Sequence, residues 1–593
     1  MHTSAEPSNG ARVQLQGVGV SPGVVVAEAF RITDLSDYVP DHVIAPDGVH
    51  AEIRRLEQAL IETRQQIKAI QKDLERKAII AEAGILDAHL VVLDDHAFIE
   101  EIVNGIRHDY RCAETMVKIV TDKFVDAFAA LKDRYFSERI IDIKDVSRRL
   151  LRNLVGDAAS PIQQHEREAI AVAADLTPSE TALFRREFVL GIATDFGSAT
   201  SHTALLAKAL QIPAVVGLEH LSTAVETGDT LLIDGTRGVV ILNPSKTDRE
   251  EFGRLEEERR SIETGFQGLK KEPAETKDNH RIVLSANIES VSELTSLDKY
   301  GAEGVGLFRS EYLYLSHDRP GTEEEQTEIY SKAAQELGKL PFIVRTYDLG
   351  GDKYAEDIPG HPEANPFLGC RSIRMSLRHP EMFKIQLRAI LRASAHGNVK
   401  LMYPMISGVE EVIAANKVLD SAKDDLRKAG TAFNEHIEVG VMIEIPSAAL
   451  TADAIAPHVS FFSLGTNDLT QYALAVDRIN ERVAYLYRST HPSVLRLIQE
   501  TITAGHRNGI WVGLCGEMAG NPILTPLLVG MGVDELSVSP ATVPMIKDSI
   551  RSISLAQAKA VAAEAAGCVT PDEVMTVCRR LIAAEAPELL ELV

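Results

Sequence analysis

Three rhythms of hydrophobic and polar positions divide the 593-residue chain. Residues 13–32 (VQLQGVGVSPGVVVAEAFRI) alternate and are rich in small residues, a pattern that predicts short strands around a Ser21-Pro22-Gly23 turn. From about residue 47 the texture changes. Ile53, Leu56, Leu60, Ile67, Ile70 and Leu74 recur at alternating spacings of three and four, broken only at Thr63. That is the spacing of an amphipathic helix. Helical segments with few Gly or Pro continue to about residue 155 and predict a bundle packed on itself. A polar-faced bundle can also dock a partner, which periodicity does not decide.

Strand patterns return at residues 168–175 and in VLGIATD. A Gly-rich turn, a helix from about Ser201 to Leu210, the strand IPAVVG and a hairpin in LLIDGTRGVVILNP follow. Strands on both sides of the helical block imply one discontinuous α/β domain, residues 1–35 and 156–246, with a helical subdomain inserted over 36–155. Residues 247–275 are highly charged and read as a solvated linker helix ending at Gly268 and Pro273. Over residues 276–593 short apolar runs alternate with helical stretches: RIVLSAN, EGVGLFR, FIVRTYD, VKLMYPM, VGVMIEI, SFFSLGT, WVGLCGE and DELSVSP. Eight strands in this rhythm predict a (β/α)8 barrel. The fold class is therefore multidomain α/β, and the length alone exceeds what one core supports.

Composition narrows the class. Apolar residues at 45% and charged residues at 25% are ordinary for a globular protein. No apolar run is long enough to span a bilayer, and the first residues carry no secretion signal. Cys112, Cys370, Cys515, Cys568 and Cys578 are scattered with no CxxC pair, which fits a reducing cytoplasm rather than a disulfide framework. A net charge of −24 argues against nucleic acid. An acidic protein with a phosphorylated substrate should gather arginines locally, and the C-terminal half does so.

Barrel enzymes place their chemistry at the C-terminal ends of the strands. Those positions carry Arg309, Arg345 with Asp348, Glu444, Asn467 with Asp468, and Cys515 with Glu517. The loop NPFLGCRSIR adds Arg371, and Arg478 follows GTNDLTQYALAVDR. A guanidinium fork matches phosphate and carboxylate oxygens, so several around one pocket imply a small, multiply anionic ligand. Glu444 and Asp468 offer hard oxygen ligands suited to Mg2+ or Mn2+. A Cys515 thiol beside a carboxylate can keep its proton and act as an acid. Each residue also has a bland use: a surface ion pair for an arginine, a small core residue for Cys515, a helix cap for Glu444. Their coincidence at strand end after strand end favours the pocket. In Gly197-Ser198-Ala199-Thr200-Ser201-His202-Thr203, His202 stands where a helix opens. The helix N-terminus disfavours imidazolium, keeping the ring a nucleophile, and its free N–H groups can hold a phosphate. The alternative is a helix whose first turn happens to contain His.

These stretches resemble enzyme I of the phosphoenolpyruvate:sugar phosphotransferase system over essentially the whole chain. GVSPGVVVAEAF, AADLTPSETA, TSHTALLAKALQIPAVVG, GAEGVGLFRSEYLYL, NPFLGCRSIRMSL, SLGTNDLTQYALAVDR, GLCGEMAG and LLVGMGVDELSVSP carry the resemblance. It implies a swivelling phosphohistidine domain, a helical subdomain that docks the phosphocarrier HPr, and a barrel that binds phosphoenolpyruvate and forms a homodimer. By matching motif, His202 would be phosphorylated with Thr177 bonded to it. Arg309, Arg345, Arg371, Asn467 and Arg478 would bind phosphoenolpyruvate, Glu444 and Asp468 would hold Mg2+, and Cys515 would protonate the enolate. Two departures stand out: Gly197-Ser198 replaces a usual Gly-Gly, and Cys370 replaces a frequent aromatic.

The implied reaction is two in-line phosphoryl transfers, first to His202 with release of pyruvate, then to a histidine of HPr, with a domain swing about the linker. A pyruvate phosphate dikinase or phosphoenolpyruvate synthase shares the histidine domain and barrel but needs a nucleotide-binding domain, and no Gly-rich nucleotide loop precedes the histidine here. A non-catalytic regulatory paralogue could dispense with His202, Cys515 or the metal carboxylates, all present in this chain. The nitrogen-related form carries an extra N-terminal sensory domain. This sequence opens on the swivelling domain, which points to the sugar pathway.

Overall fold

The computed structural model describes residues 12–32, 40–76, 89–130, 134–156, 167–176, 180, 184, 187–197, 202–210, 212–254, 268–311, 313, 321–350, 365–478, 480 and 483–592. The chain divides into two compact units, Met1–Glu258 and Arg259–Val593.

In the first unit, β1 (Val13–Gln16), β2 (Val18–Ser21), β3 (Val24–Arg31), β4 (Ala169–Ala173), β5 (Val189–Thr194), β6 (Ala214–Val216), β7 (Thr230–Asp234) and β8 (Val239–Leu242) build one sheet. Its order is β1-β8-β7-β3-β4-β5-β6-β2. The pairs β3–β4, β4–β5 and β5–β6 are parallel, and the outer pairs are antiparallel. β1 and β2 are consecutive yet lie at opposite edges, so the edges must approach each other at the residue between them. That residue is Gly17: its N–H donates to the Gly238 carbonyl at 2.8 Å, and a Cβ there would stand 2.5 Å from the Val216 carbonyl oxygen.

The chain leaves this sheet after β3 and re-enters beside it as β4. Between them run α1 (Val49–Arg76), α2 (His96–His108), α3 (Ala113–Ala130) and α4 (Arg134–Val155). Their apolar stripes bury Leu56, Ile67, Ile70, Phe98, Ile106, Val117 and Leu150 in one core. The side chain of Leu74 lies outside the described residues. Thr63 breaks the stripe in sequence but not in space. It is fully buried, donates to the Ala59 carbonyl at 2.7 Å and accepts from Asn153 Nδ2 at 2.8 Å. A buried hydroxyl with both partners costs little. The charged segment after β8 is helical over 246–254, opened by Ser245, which accepts the Asp248 N–H at 3.1 Å. Residues 255–267 of the expected linker lie outside the described residues.

In the second unit, β9 (Val283–Ile288), β10 (Val305–Arg309), β11 (Phe342–Arg345), β12 (Val399–Tyr403), β13 (Val439–Ile443), β14 (Phe461–Leu464), β15 (Trp511–Leu514) and β16 (Glu535–Val538) close into a parallel barrel in sequential order. All of the apolar runs are strands. Strands covered on both faces are continuously apolar, which is why they stand out in sequence. Their outer faces pack on the surrounding helices in one core that includes Leu284, Phe308, Val344 and Leu514. Inside, Leu307, Ile343, Met402, Met442 and Phe461 meet, with Trp511 stacked on Phe461 at 4.5 Å. Among the described residues, no helix is long and apolar enough to cross a membrane.

Candidate active site

The C-terminal ends of the barrel strands carry a dense polar network. Arg309 and Arg345 end β10 and β11 in register with each other. Arg345 is buried, paired with Glu311 and at 3.2 Å with Asp348 Oδ2. Arg371 is buried too; its Nη2 lies 3.0 Å from Asp348 Oδ1 and 3.6 Å from Asp468 Oδ2, and its Nη1 donates to the Tyr472 hydroxyl at 3.3 Å. Asp348 thus bridges two guanidinium groups and sets their separation. The loop that delivers Arg371 is strained: Ser372 has a φ of +54°. Its hydroxyl and backbone N–H are taken by Asp348 and the Leu349 carbonyl, which hold the strained residue in place.

The carboxylates sit beside these arginines. Glu444 follows β13, is buried, and accepts the N–H of Met405 at 2.6 Å. Met405 itself has a φ of +55°. Asp468 lies in the first turn of α6 (Thr466–Leu474). Burial, then the neighbouring Asp468 and Asp348, pushes the Glu444 carboxyl above the usual range, with Arg345 and Arg371 opposing. For the two arginines burial works against charge, but the surrounding carboxylates outweigh it and hold both protonated. Cys515, at the end of β15, is buried and accepts from the Ser463 hydroxyl at 3.3 Å. Burial lifts its thiol from 9.0 to about 11, so at neutral pH it carries its proton.

The rim of the mouth is wetter. Arg309 is 40% exposed and pairs with Glu289 at 2.6 Å. It lines a cleft of about 520 Å³ with Asn287, Glu289, Glu517, Asn521 and Ser539. Asn467 and Glu517 bond reciprocally, at 3.2 and 2.9 Å. Tyr487 donates to the Asn467 carbonyl at 3.2 Å, and burial pushes its phenol up to about 12 with exposed Arg478 opposing. So Arg345, Arg371, Glu444, Asp468 and Cys515 form an inner group, and Arg309, Asn467 and Arg478 an outer one.

In the first unit, α5 (His202–Leu210) begins at His202, preceded by Gly197 at a φ of +126°. Thr203 Oγ1 donates to the Leu176 carbonyl at 3.0 Å, fastening the helix start to the loop after β4. The imidazole of His202, together with Thr177 and Ser198, lies outside the described residues.

Three family profiles match the chain: PEP-utilising enzyme, N-terminal, over 16–139; PEP-utilising enzyme, mobile domain, over 165–238; and PEP-utilising enzyme, PEP-binding domain, over 263–555. The phosphoenolpyruvate-protein phosphotransferase of Listeria innocua is 40% identical over 96% of this chain and 99% of its own length. That of Bacillus subtilis is 39% identical over 95% of this chain and 98% of its own. The chain belongs to the phosphoenolpyruvate-protein phosphotransferase family. A solution structure of an Enzyme I protein is 34% identical, covering 42% of this chain and 99% of its own, at a TM-score of 0.36. Within this phosphoenolpyruvate-protein phosphotransferase family member, the mobile-domain match contains His202 and the PEP-binding match contains the whole barrel network.

Glu444 and Asp468 could hold a divalent cation. A buried carboxylate such as Glu444, whose charge its acidic neighbours disfavour, is stabilised by a small hard cation, which takes its other oxygens from substrate and water. Sequence reasoning missed Glu311, Tyr472 and Ser463. Tyr472 had a signal: it stands four residues after Asp468 on α6, on the same helix face. Glu311 and Ser463 had none, because cross-strand geometry alone selects them. Cys370, half-buried, packs against the cluster of Tyr347, Leu349 and Met375.

Proposed function

We propose that the chain takes the phosphoryl group of phosphoenolpyruvate onto His202, releasing pyruvate, and passes it to a histidine of the phosphocarrier HPr as the first step of a sugar phosphotransferase system. The observation that carries this reading is the fixed pair Arg345 and Arg371, held apart by Asp348 next to Glu444, Asp468 and a protonated Cys515. Two immobile guanidiniums suit the phosphate and carboxylate of one small ligand. Arg309, Arg478 and Asn467 close on it from the rim.

Transfer of phosphorus leaves negative charge on the enolate oxygen, which preoriented arginines stabilise without reorganising. A Mg2+ ion held by Glu444 and Asp468 would neutralise phosphate charge and polarise that oxygen. Cys515 gives its proton to the methylene carbon, and the resulting pyruvate draws the transfer forward. His202 supplies a neutral imidazole at a helix start, with Thr177 steadying it, and N–H groups that accommodate the phosphate. One carrier serving two sites has to travel, by a swing about the charged linker after β8; α1 to α4 would offer HPr its docking face. The protein works in the cytoplasm as a homodimer joined through the barrel.

Phosphoenolpyruvate and Mg2+ without acceptor should release one pyruvate per chain and stop, and adding HPr should restart release. No pyruvate under either condition overturns the proposal. ATP-driven formation of phosphoenolpyruvate from pyruvate would instead support the dikinase reading.

A further inference from the structure

A side chain outside the barrel reaches the strand ends that carry the arginines. Gln386 lies on the helix Pro380–Ala393, on the same buried face as Phe383 and Ile390, and is itself 0% exposed. An amide in such a place costs free energy unless its polar atoms are used, and these are. Oε1 accepts the N–H of Tyr347 at 3.0 Å, and Nε2 donates to Ser310 Oγ at 2.9 Å and to the Tyr330 hydroxyl at 3.4 Å. Ser310 Oγ in turn donates to the Arg345 carbonyl at 2.6 Å. A backbone N–H can only donate and a carbonyl can only accept, so this chain of bonds runs in one direction and the amide has one orientation. Tyr347 stands two residues past the end of β11, and Gln386 accepts its N–H in place of a neighbouring strand.

We propose that Gln386 is a positioning residue for phosphoenolpyruvate, setting the spacing between Arg309 at the rim and Arg345 in the interior. The idea rests on the reading of these arginines as ligands of phosphoenolpyruvate. The three points that the amide ties together flank them. Ser310 follows Arg309 directly, the carbonyl is that of Arg345, and Tyr347 precedes Asp348, which pairs with both Arg345 and Arg371. β10 and β11 are in register at the two arginines, but Arg309 and Arg345 are the last residues of those strands. Beyond them the ladder no longer fixes one chain against the other, and the amide supplies that constraint from the helix side. A side chain that only filled the volume would keep the helix packed and leave the strand ends free to part. A displacement of about 1 Å between groups that grip one small ligand can cost about 100-fold in rate.

The test is the burst of pyruvate that enzyme, Mg2+ and phosphoenolpyruvate give without acceptor, followed over a range of phosphoenolpyruvate concentrations. Burst amplitude counts intact molecules, and the concentration that half-saturates the burst rate reports the grip on the ligand. In Gln386→Leu the half-saturating concentration should rise at least about tenfold. A merely structural role would lower the amplitude and leave half-saturation in place, so a value within about twofold of wild type overturns the proposal. Gln386→Glu should rescue at pH 6. The surroundings disfavour charge: burial pushes the Tyr330 phenol up, with the bonds to Gln386 and Ser310 opposing and Glu311 adding to the rise. A carboxyl that keeps its proton there can accept from Tyr347 and donate to Ser310 as the amide does. Its half-saturation should return to within about threefold of wild type, and a Glu variant as weak as the Leu variant overturns the proposal. If Gln386→Leu does not fold, Ser310→Ala cuts the same link and decides by the same criterion. No burst in the wild type would instead sink the functional reading itself.

Discussion

The inner and outer arginines of the barrel mouth are the same residue type put to different physical use. Arg345 and Arg371 are 8% and 6% exposed and locked by Asp348, whereas Arg309 is 40% exposed on a single partner. Buried guanidiniums cost desolvation, and their carboxylate partners compensate, so the inner pair is part of the fold as much as of the site. The outer arginines contribute little to stability and remain able to turn towards a ligand. Position and reach are thereby divided between two layers.

The strongest way to break this contrast is Asp348→Ala, which leaves two buried cations short of a shared partner. Unfolding free energy of the barrel unit should drop by about 3–5 kcal/mol, read by urea denaturation. Arg309→Ala should leave stability within about 0.5 kcal/mol of wild type. Its kcat/KM for phosphoenolpyruvate should nonetheless fall roughly 10–100-fold, the value of a lost charge-assisted contact. Equal stability losses in the two variants would erase the distinction between layers.

Cys515 sharpens the picture through pH. Its thiol is raised from 9.0 in the ordinary case to about 11, so folding favours the protonated form. That stabilisation is complete below pH 9 and is lost as pH rises through about 11. It amounts to on the order of 2 kcal/mol. Cys515→Ala should flatten the decline of unfolding free energy across this window, and an unchanged slope would contradict the burial argument. The smallest effect concerns the metal. Mg2+ at about ten times its dissociation constant should raise the barrel's melting midpoint by about 2 °C, and not in Glu444→Gln.

The barrel was legible because buried parallel strands are unbroken apolar runs that end in polar residues, as FIVR-TYD and VGVMI-EI do. Arg309, Arg345, Glu444 and Cys515 could be found by their place at those ends. Partners across the barrel were not legible. Glu311 under Arg345, and Ser463 beside Cys515, are chosen by strand register between segments far apart in sequence. Thr63 shows the converse: a polar break in a helical stripe can be a satisfied core position, once Asn153 from another helix is known to reach it.

The central claim is that one imidazole carries the phosphoryl group. Tandem mass spectrometry under conditions that preserve phosphohistidine, after incubation with phosphoenolpyruvate and Mg2+, tests it directly. The modification should sit on His202, with none in His202→Ala; pyruvate release accompanied by phosphate on another residue, or on none, would contradict it.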